Sequence, residues 1–194
     1  MYIPQHFEVT DKQQMLTFIK ANSFGQLIST VQGRLFSTHL PFIVGHDDNS
    51  LICHLAKANP QWKNIKEQEV LVSFQGPHDY VSPSWYCSPG VPTWNYQTVH
   101  VYGRAHLISD KEALKNIVNN LTEKYESSFS TPWKPEYKET LLGAIVGIEI
   151  SIDEIQGKYK LSQNRPEIDR KEIITGLEST GSFSLSKAMK TELQ

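Results

Sequence analysis

The chain has 194 residues and a formal net charge of −2, and 39% of its residues are hydrophobic. This length suits one domain, or one domain with an appendage, and allows a sizeable core. The nearly balanced charge gives no general electrostatic attraction to nucleic acid or to an anionic membrane. The sequence contains two cysteines. No disulfide framework is therefore indicated, and a reducing cytoplasm is the expected compartment.

The sequence at the N-terminus, MYIPQHFEVTDK, has no basic region followed by an apolar run, so no signal peptide is predicted. The most apolar segment, residues 141–152, is too short to span a bilayer and contains Glu149. We therefore expect a protein without a membrane partner.

The first predicted element is a helix that begins at a capping box formed by Thr10 and Gln13 and ends near residues 22–25. Strand-forming residues then dominate the sequence, and turn residues separate the runs. The predicted strands are residues 25–31, 34–44, 50–56 and 69–76. This series predicts a sheet-rich first half.

A short helix is predicted for residues 60–66, with Asn59 as N-cap and Pro60 at the first helical position. The proline-rich segment 77–92 predicts a loop interrupted by one short edge strand. A long strand is predicted for residues 98–108.

A helix is predicted from its cap, Asp110, to about Glu126. A closing pair of strands is predicted over residues 144–152 and 154–161, followed by a late helix over 167–177. The remaining residues predict either a mobile tail or a terminal helix docked on a partner. Six or seven strands with few helices favour an antiparallel barrel.

Residues 54–62, HLAKANPQW, join a strand end to the predicted short helix. The free N–H groups of a helix start, together with the charge of Lys57, would suit a phosphate group. The structural alternative is a solvated lysine beside a capping Asn59.

A second candidate segment, residues 76–86 followed by residues 91–96, is rich in aromatic residues. Its rings could stack on a planar ligand, while Thr93 and Asn95 orient that ligand. The four aromatic residues in question are Trp85, Tyr86, Trp94 and Tyr96. The structural alternative is a proline-stiffened loop packed by its own aromatic rings. The third segment, residues 157–165 (GKYKLSQNR), could contact a phosphate or a ribityl chain, or be a solvated basic rim.

Other chemistries have weaker support. The sequence contains no HExxH, CxxC, GxSxG, Walker or GxGxxG motif. His100 and His106 share a strand face but are too far apart to bind one metal unaided. Arg170 and Lys171 on the late helix could touch DNA, although a charged surface helix is the commoner outcome. We therefore predict no metal site and no protein-borne catalytic residue.

Several segments match one family in order along nearly the whole chain. They are Met1–Pro4, Phe7, His39–Pro41, His54–Trp62, Phe74–His78, Tyr80–Tyr86, Val91–Tyr96 and Gly157–Arg165. In these segments the chain resembles the PaiB family of FMN-binding negative transcriptional regulators. The resemblance implies the split β-barrel shared with pyridoxamine-phosphate oxidases and flavin-reductase-like proteins, in which two subunits hold FMN between them. It also implies a link to repression of sporulation and degradative-enzyme genes in bacilli.

The resemblance further implies a barrel over residues 1–165 and a C-terminal helix and tail over 166–194, packed on the barrel or on the partner subunit. The expected cofactor is FMN, and the expected partner is a second copy of the chain. The expected cofactor contacts are Lys57, Asn59 and His54 around the phosphate; Thr38 and His39 beside the isoalloxazine; Trp94 and Asn95 closing the site; and Gln163, Asn164 and Arg165 reaching in from the partner subunit or the barrel rim. Lys160 is a further expected contact.

These expectations lead to a homodimeric FMN-binding regulator, mainly β in fold and cytoplasmic. Contact with nucleic acid is conceivable but has no support in the sequence. One alternative is a flavin-dependent oxidoreductase acting on a small substrate, with an indirect regulatory effect, because the hydride chemistry would reside in the flavin. Another is a barrel that has lost FMN and binds a different planar ligand or a protein partner.

Overall fold

The computed structural model describes residues 1–193, without the side chains of Glu67 and Glu139. These residues form eight β-strands and four α-helices. The strands are β1 (Glu8–Val9), β2 (Phe24–Val31), β3 (Arg34–Pro41), β4 (Ile43–Val44), β5 (Ser50–Ala56), β6 (Glu69–Val81), β7 (Thr93–Ile108) and β8 (Ile145–Lys160). The helices are α1 (Lys12–Ala21), α2 (Lys111–Glu126), α3 (Glu167–Ser179) and α4 (Phe183–Glu192).

The described strands form one eight-stranded antiparallel sheet in the order β3-β2-β6-β7-β8-β5-β4, and β1 also pairs with β8. In the register of the sheet, Gln26 of β2 lies between His39 of β3 and Ser73 of β6. Strand β3 forms one edge of the sheet and β4 the other. The predicted mainly β fold is confirmed.

The chain divides into two compact units. The first contains residues 1–18, residues 75–99 and the chain from residue 156 onward, and the second contains residues 19–74 and 100–155. Strands β6, β7 and β8 contribute residues to both. The expected boundary between residues 165 and 166 falls inside the first unit, and residue 194 of the expected tail lies outside the described residues.

The first unit contains helices α3 and α4, which follow one another through a short turn. Gly181 in this turn has a φ of +85°, a left-handed conformation that glycine adopts without steric cost. Leu177 of α3 and Leu185 and Met189 of α4 are buried. Of the two structures that the sequence allowed for the last residues, the terminal helix is therefore the one formed.

The second unit buries one face of its strands and packs α2 against the other face. Asp110 caps this helix by accepting a 2.9 Å hydrogen bond from the Ala113 N–H, as predicted. Leu114 and Ile117 of the predicted apolar stripe are buried. A Cβ on Gly147 of β8 would lie 2.8 Å from Ile117 Cδ1, so the glycine allows the helix to approach the sheet closely.

Two predicted boundaries are wrong for local reasons. Asp11, not Thr10, caps α1, because its carboxylate accepts a 2.8 Å hydrogen bond from the Gln13 N–H. The predicted strand over residues 34–44 is divided at Phe42, which is fully buried and donates its N–H to the Ser23 carbonyl at 2.8 Å. Phe42 separates β3 from β4 because its side chain is buried in the core and its N–H bonds to Ser23.

Other predicted elements differ in length. The two predicted closing strands form the single strand β8, and Asp153, at the predicted break between them, remains part of the strand. Its Oδ2 lies at the surface, 3.7 Å from Arg104 Nε. Strand β6 extends to Val81, inside the segment predicted as a loop, and β7 begins at Thr93, five residues before its predicted start. The short helix over 60–66 is instead two 3₁₀ segments, Pro60–Lys63 and Ile65–Glu67. Within the described residues, no helix is long and apolar enough to cross a membrane.

Candidate functional site

The segment after β5 reverses direction at Asn59, whose N–H donates to the Ala56 carbonyl at 2.9 Å. The Asn59 side-chain oxygen accepts a 2.9 Å hydrogen bond from the Gln61 N–H, and Pro60 follows it, so the predicted cap is confirmed. The helix it caps is only a four-residue 3₁₀ segment. The expectation of free N–H groups at the start of a regular helix is therefore wrong, because the side chain of Asn59 already bonds the Gln61 N–H.

Thr38, Asn59 and Gln61 form a closed ring of hydrogen bonds. Asn59 Nδ2 donates to Thr38 Oγ1 at 3.0 Å, and Thr38 Oγ1 donates to Gln61 Oε1 at 2.6 Å. The Gln61 N–H closes the ring at Asn59. Two of the residues expected from the sequence are thus brought together by a third that the sequence reasoning missed.

Gln61 has no solvent exposure. Its Nε2 donates to the Leu27 carbonyl at 3.0 Å and to Ser29 Oγ at 2.9 Å. Because both ends of its amide are bonded, Gln61 holds the Thr38 hydroxyl and the Asn59 amide in one arrangement. The only sequence signal for this role is its place within the matching segment HLAKANPQW.

Lys57 lies on the other side of the same turn. Its N–H donates to the Ala144 carbonyl at 2.8 Å, and its carbonyl accepts a 3.0 Å hydrogen bond from Trp62 Nε1. The exposed Lys57 side chain lines a cavity of about 440 Å³. The other lining residues are Ser109, Lys111, Leu114, Thr140, Leu142 and Gly143.

The chemistry of this cavity fits a phosphate group. Lys57 and Lys111 supply two ammonium groups, and Ser109 and Thr140 supply two hydroxyl groups. The described lining residues include no carboxylate. Two cations and two hydroxyl donors are suited to charge-assisted hydrogen bonds with a dianion. The sequence predicted Lys57 as a phosphate contact but not Lys111, because only the fold brings the start of α2 to the end of β5.

His54 of β5 is half-buried and lies opposite Gly147 of β8. Its Nδ1 is buried and has no hydrogen-bond partner within the described part of the chain. Burial lowers the pKa of His54 below its usual value, so the ring is neutral at pH 7. A buried ring nitrogen without a partner is a polar atom to which a ligand could bond.

His39 is exposed on the edge strand β3, and its ring stacks on Phe24 with 6.1 Å between the ring centres. In the described sheet, β3 pairs on one side only, with β2. Alternate backbone N–H and C=O groups near Thr38 and His39 therefore point away from the sheet. Such a strand can hydrogen-bond the polar edge of a planar heterocycle.

The remaining expected residues belong to the first unit. Asn95 is fully buried, and its Nδ2 donates to Ser162 Oγ at 2.9 Å and to Met189 Sδ at 3.4 Å. The amide therefore holds α4 against β7 instead of facing solvent. Trp94 is 54% exposed and meets Tyr80 edge-to-face, with 6.3 Å between the ring centres.

Lys160 donates from Nζ to Thr93 Oγ1 at 2.5 Å and to the Trp94 carbonyl at 2.6 Å. Burial lowers the pKa of Lys160, and the nearby charges of Lys158 and Arg165 lower it further. The acceptors that Lys160 finds are neutral, so its charge is not compensated by them.

The side-chain amide of Gln163 is hydrogen-bonded to the backbone at the end of β8. Its Oε1 accepts a 2.7 Å hydrogen bond from the Leu161 N–H, and its Nε2 donates to the Tyr159 carbonyl at 2.6 Å. Asn164 is exposed. Of these two, Asn164 is the residue whose side chain is available at the surface.

Arg165 stacks on the Tyr86 ring, with 3.8 Å between its guanidinium carbon and the ring centre. It also donates to Asp169 Oδ2 at 3.3 Å. The buried Asp169 carboxylate accepts hydrogen bonds from the Cys87 N–H at 2.8 Å, the Ser88 N–H at 3.1 Å and the Ser88 hydroxyl. These contacts anchor the segment after β6 to α3, so Arg165 has a structural role here.

The expected site residues therefore fall into two groups. In the second unit, the fold joins Thr38 to Asn59 and places Lys57 on a cavity suited to phosphate. In the first unit, it joins Lys160 to Trp94. Of the four other residues expected there, three have partners within the unit, namely Asn95, Gln163 and Arg165, and Asn164 is exposed.

Residues 1–154 match a family whose description is "Putative FMN-binding domain". One relative is a Bacillus subtilis protein named "Protease synthase and sporulation protein PAI 2". It is 42% identical over 187 residues, which cover 92% of this chain and 90% of the relative.

Two solved structures share the fold. The flavocytochrome Anf3 from Azotobacter vinelandii has a TM-score of 0.69 and 17% identity, over 88% of this chain and 78% of that one. A "Putative Pyridoxamine 5'-phosphate oxidase" from Listeria innocua has a TM-score of 0.50 and 18% identity, over 75% of this chain and 96% of that one. These likenesses confirm the expected split β-barrel of the pyridoxamine-phosphate-oxidase type. With the family match over residues 1–154 and the PAI 2 relative, the chain belongs to the PaiB family, and its cofactor is FMN.

Proposed function

We propose that the protein is a cytoplasmic, homodimeric FMN-binding regulator that acts negatively on transcription. The observation that carries the FMN site is the cavity of about 440 Å³ in which Lys57 and Lys111 meet two hydroxyl groups. In this proposal the cavity receives the phosphate of FMN. Electrostatic attraction and the hydroxyl donors would both favour the dianion.

The ring system is proposed to lie along the edge strand β3, beside Thr38 and His39. The ring of hydrogen bonds through Gln61 would hold the Thr38 hydroxyl in place before the flavin binds, so that little ordering is needed on binding. The unpartnered Nδ1 of His54 offers a further polar contact. When bound, the isoalloxazine would supply two-electron redox chemistry.

From the first unit, Trp94, Lys160 and Asn164 are the residues we retain as flavin contacts, from the barrel rim or from the partner subunit. Trp94 is exposed, and Lys160 Nζ donates to two neutral oxygens, Thr93 Oγ1 and the Trp94 carbonyl. Three expected contacts are omitted because their polar atoms are already bonded within the unit: Asn95, Gln163 and Arg165.

The proposed homodimer is supported by the outer surface at the β3 edge. Leu35 of β3 is 84% exposed and Phe24 of β2 is 64% exposed. An exposed apolar edge strand is a surface that proteins usually cover. We expect a second copy to cover it, with an interface of roughly 2,000 Å² or more. Light scattering at micromolar concentration should give the mass of a dimer, and the mass of a monomer would contradict the proposal.

The regulatory role is proposed from the Bacillus subtilis relative, whose name connects that protein with protease synthesis and sporulation. The net charge of −2 makes strong electrostatic binding to DNA unexpected. We expect weak binding to DNA without sequence preference. A footprint at one promoter that persists at physiological salt would contradict this expectation and would indicate a direct repressor.

The visible absorption spectrum of the purified protein tests the proposal at its centre. A bound flavin should give two absorption bands in the near-ultraviolet and blue regions, and unfolding should release FMN. A colourless protein that does not bind added FMN would exclude both the regulator and the oxidoreductase interpretations. Rapid turnover of NAD(P)H with a small acceptor would favour the flavin-dependent oxidoreductase.

A further inference from the structure

We propose that the second unit contains a separate binding site for a small primary amine with an apolar body. The site is a cavity of about 490 Å³ between α2 and the sheet edge formed by β4, β5 and β8. Its volume lies within the range of small-molecule sites. It shares no lining residue with the cavity beside Lys57.

The floor of this amine cavity follows from the register of three strands. Ile43 of β4 lies opposite Ile52 of β5, and Ile52 lies opposite Glu149 of β8. Directly opposed residues of antiparallel strands place their side chains on the same face of the sheet. Two isoleucines and a carboxylate therefore form one row across the cavity floor.

The wall is helix α2, and its distance from the sheet changes along β8. At Gly147 the missing side chain lets the helix come close, since a Cβ there would lie 2.8 Å from Ile117 Cδ1 and 3.1 Å from Leu114 Cδ2. Two residues further along β8, the side chain on the same face is Glu149, and here the cavity opens. Ala113 and Ile117 add apolar surface to this wall.

The lining also contains polar side chains. The amides of Asn116 and Asn120, one turn apart on α2, line the cavity. The Glu149 side chain is half-buried, and its carboxylate has no hydrogen bond or ion pair within the described part of the chain. A half-buried carboxylate without a partner in the protein can accept a charge-assisted hydrogen bond from a cation that enters the cavity.

The charges of the lining select a cation. The lining contains two carboxylates, Glu123 and Glu149, and one lysine, Lys124. Lys124 Nζ lies 3.5 Å from the Phe42 carbonyl and 5.8 Å from the centre of the Tyr125 ring, so other groups compete for it. Burial lowers the pKa of Lys124 below its usual value. The anionic phosphate of FMN would be repelled by the two carboxylates.

An organic ammonium suits this lining better than a metal ion. Within the described residues, no group of three or more His, Cys, Asp or Glu side chains is placed to hold a metal. An ammonium group can instead bond the Glu149 carboxylate and the two asparagine oxygens. Its carbon skeleton would cover Ile43 and Ile52 of the floor, whose side chains offer no polar group to a hydrated cation.

The test uses FMN-loaded, full-length protein and three ligands of similar size: 2-phenylethylamine, 2-phenylethanol and 3-phenylpropionate. Calorimetry, with saturation-transfer NMR for weak binders, should show binding of the amine. The alcohol should bind about tenfold more weakly and the carboxylate should not bind, because a charge-assisted bond to Glu149 is lost or becomes repulsion. The flavin spectrum should not change, since the amine occupies a different cavity.

Two variants within the cavity, Glu149→Gln and Ala113→Leu, and one control test whether the amine binds there. Glu149→Gln keeps the shape and removes the charge, so the amine should lose about tenfold in affinity while the alcohol is unaffected. Glu172→Gln, an exposed position of α3 in the first unit, makes the same change in net charge and should retain full amine affinity. Ala113→Leu fills the cavity and should weaken the amine and the alcohol alike, with thermal unfolding checking that each variant folds.

The proposal is overturned if the amine fails to bind at millimolar concentration or if the carboxylate binds as well as the amine. It is also overturned if Glu149→Gln and Glu172→Gln bind the amine equally, or if Ala113→Leu folds and retains full affinity. Displacement of FMN by the amine would equally contradict it. Apart from FMN displacement, these outcomes do not bear on the flavin site, because the two cavities share no lining residue.

Discussion

Thr38 Oγ1 donates a 2.6 Å hydrogen bond to the side-chain carbonyl of Gln61, which has no solvent exposure. This bond ties the edge strand β3 to the turn after β5. The same glutamine amide bonds the Leu27 carbonyl at 3.0 Å. One buried side chain thus connects three segments that lie far apart in the sequence.

Replacement of Gln61 by leucine should destabilise the protein. The apolar side chain would fit the space but leave the Thr38 hydroxyl and the Leu27 carbonyl without this partner. We expect the free energy of unfolding to fall by roughly 1–3 kcal/mol, the cost of buried polar groups left unsatisfied. Urea denaturation followed by circular dichroism measures it.

The matched control is Gln75→Leu, at an exposed position of β6. It should change the free energy of unfolding by less than about 0.5 kcal/mol. Equal stability of the two variants would show that the amide of Gln61 contributes nothing beyond its volume.

Replacement of Lys57 by alanine should weaken FMN without weakening riboflavin. The variant loses one charged donor in the proposed phosphate cavity, which riboflavin, lacking the phosphate, does not need. We expect roughly a tenfold to hundredfold rise in the dissociation constant of FMN, at about 1.4 kcal/mol per decade. Quenching of flavin fluorescence measures both ligands. Lys111→Ala should have an effect in the same direction, because Lys111 lines the same cavity.

Lys66→Ala serves as the control, since Lys66 is exposed and outside the lining of that cavity. It should bind FMN as the unchanged protein does. If Lys57→Ala also leaves FMN affinity unchanged, or weakens riboflavin equally, Lys57 is not a phosphate contact.

The Asp169 carboxylate should make the stability of the protein depend on pH in the acid range. The hydrogen bond from the Ser88 hydroxyl is the largest cause that lowers its pKa, followed by the backbone N–H groups of Ser88 and Cys87 and by Arg165. Because the folded pKa lies below that of the unfolded chain, about 3.9, this stabilisation is complete above that value. It is lost as the pH falls through the folded pKa.

Asp169→Asn should therefore unfold at lower urea concentration than the unchanged protein at pH 7. The difference between the two should shrink as the pH falls below about 4, where Asp169 becomes protonated first in the unfolded chain and, at lower pH, in the folded protein. Glu172→Gln on the same helix, at an exposed position, is the control and should show neither effect. A difference that stays constant down to the lowest pH would show that the charge of Asp169 is unimportant.

Gly176→Ala should destabilise the protein although alanine favours helices. A Cβ at this position in α3 would overlap the indole ring of Trp85. Forcing the ring away should cost roughly 1–3 kcal/mol, more than the ~1 kcal/mol that alanine contributes in a helix. Thermal unfolding measures the change. Gly143→Ala, where nothing lies within 4 Å of the added Cβ, should be nearly neutral, and equal behaviour would contradict the role of Trp85.

Local signals predicted the elements whose causes are local. Asp110 caps α2 and the stripe containing Leu114 faces the core, as their spacing indicates. Asn59 caps its turn for the same reason, since a side chain that bonds an N–H two residues on needs no distant partner. The order of matching segments also identified the family before any contact was known.

The tertiary structure decided the elements and contacts that depend on distant residues. Whether residues 144–161 form one strand or two depends on the partners along the whole of β8, which no local pattern contains. The role of Gln61 depends on Thr38 and Leu27, and the use of Asn95 depends on Ser162 and on Met189.

Neither cavity could be predicted from the order of residues along the chain, because each is lined by residues from separated segments. The family, the cofactor class and the presence of Lys57 near a strand end follow from the sequence alone. Only the fold decided that Lys57 shares a cavity with Lys111, and that Glu149 stands in one row with Ile43 and Ile52. The physical reason is that charge pairing and burial depend on distance in space, and antiparallel pairing brings together residues that the chain separates widely.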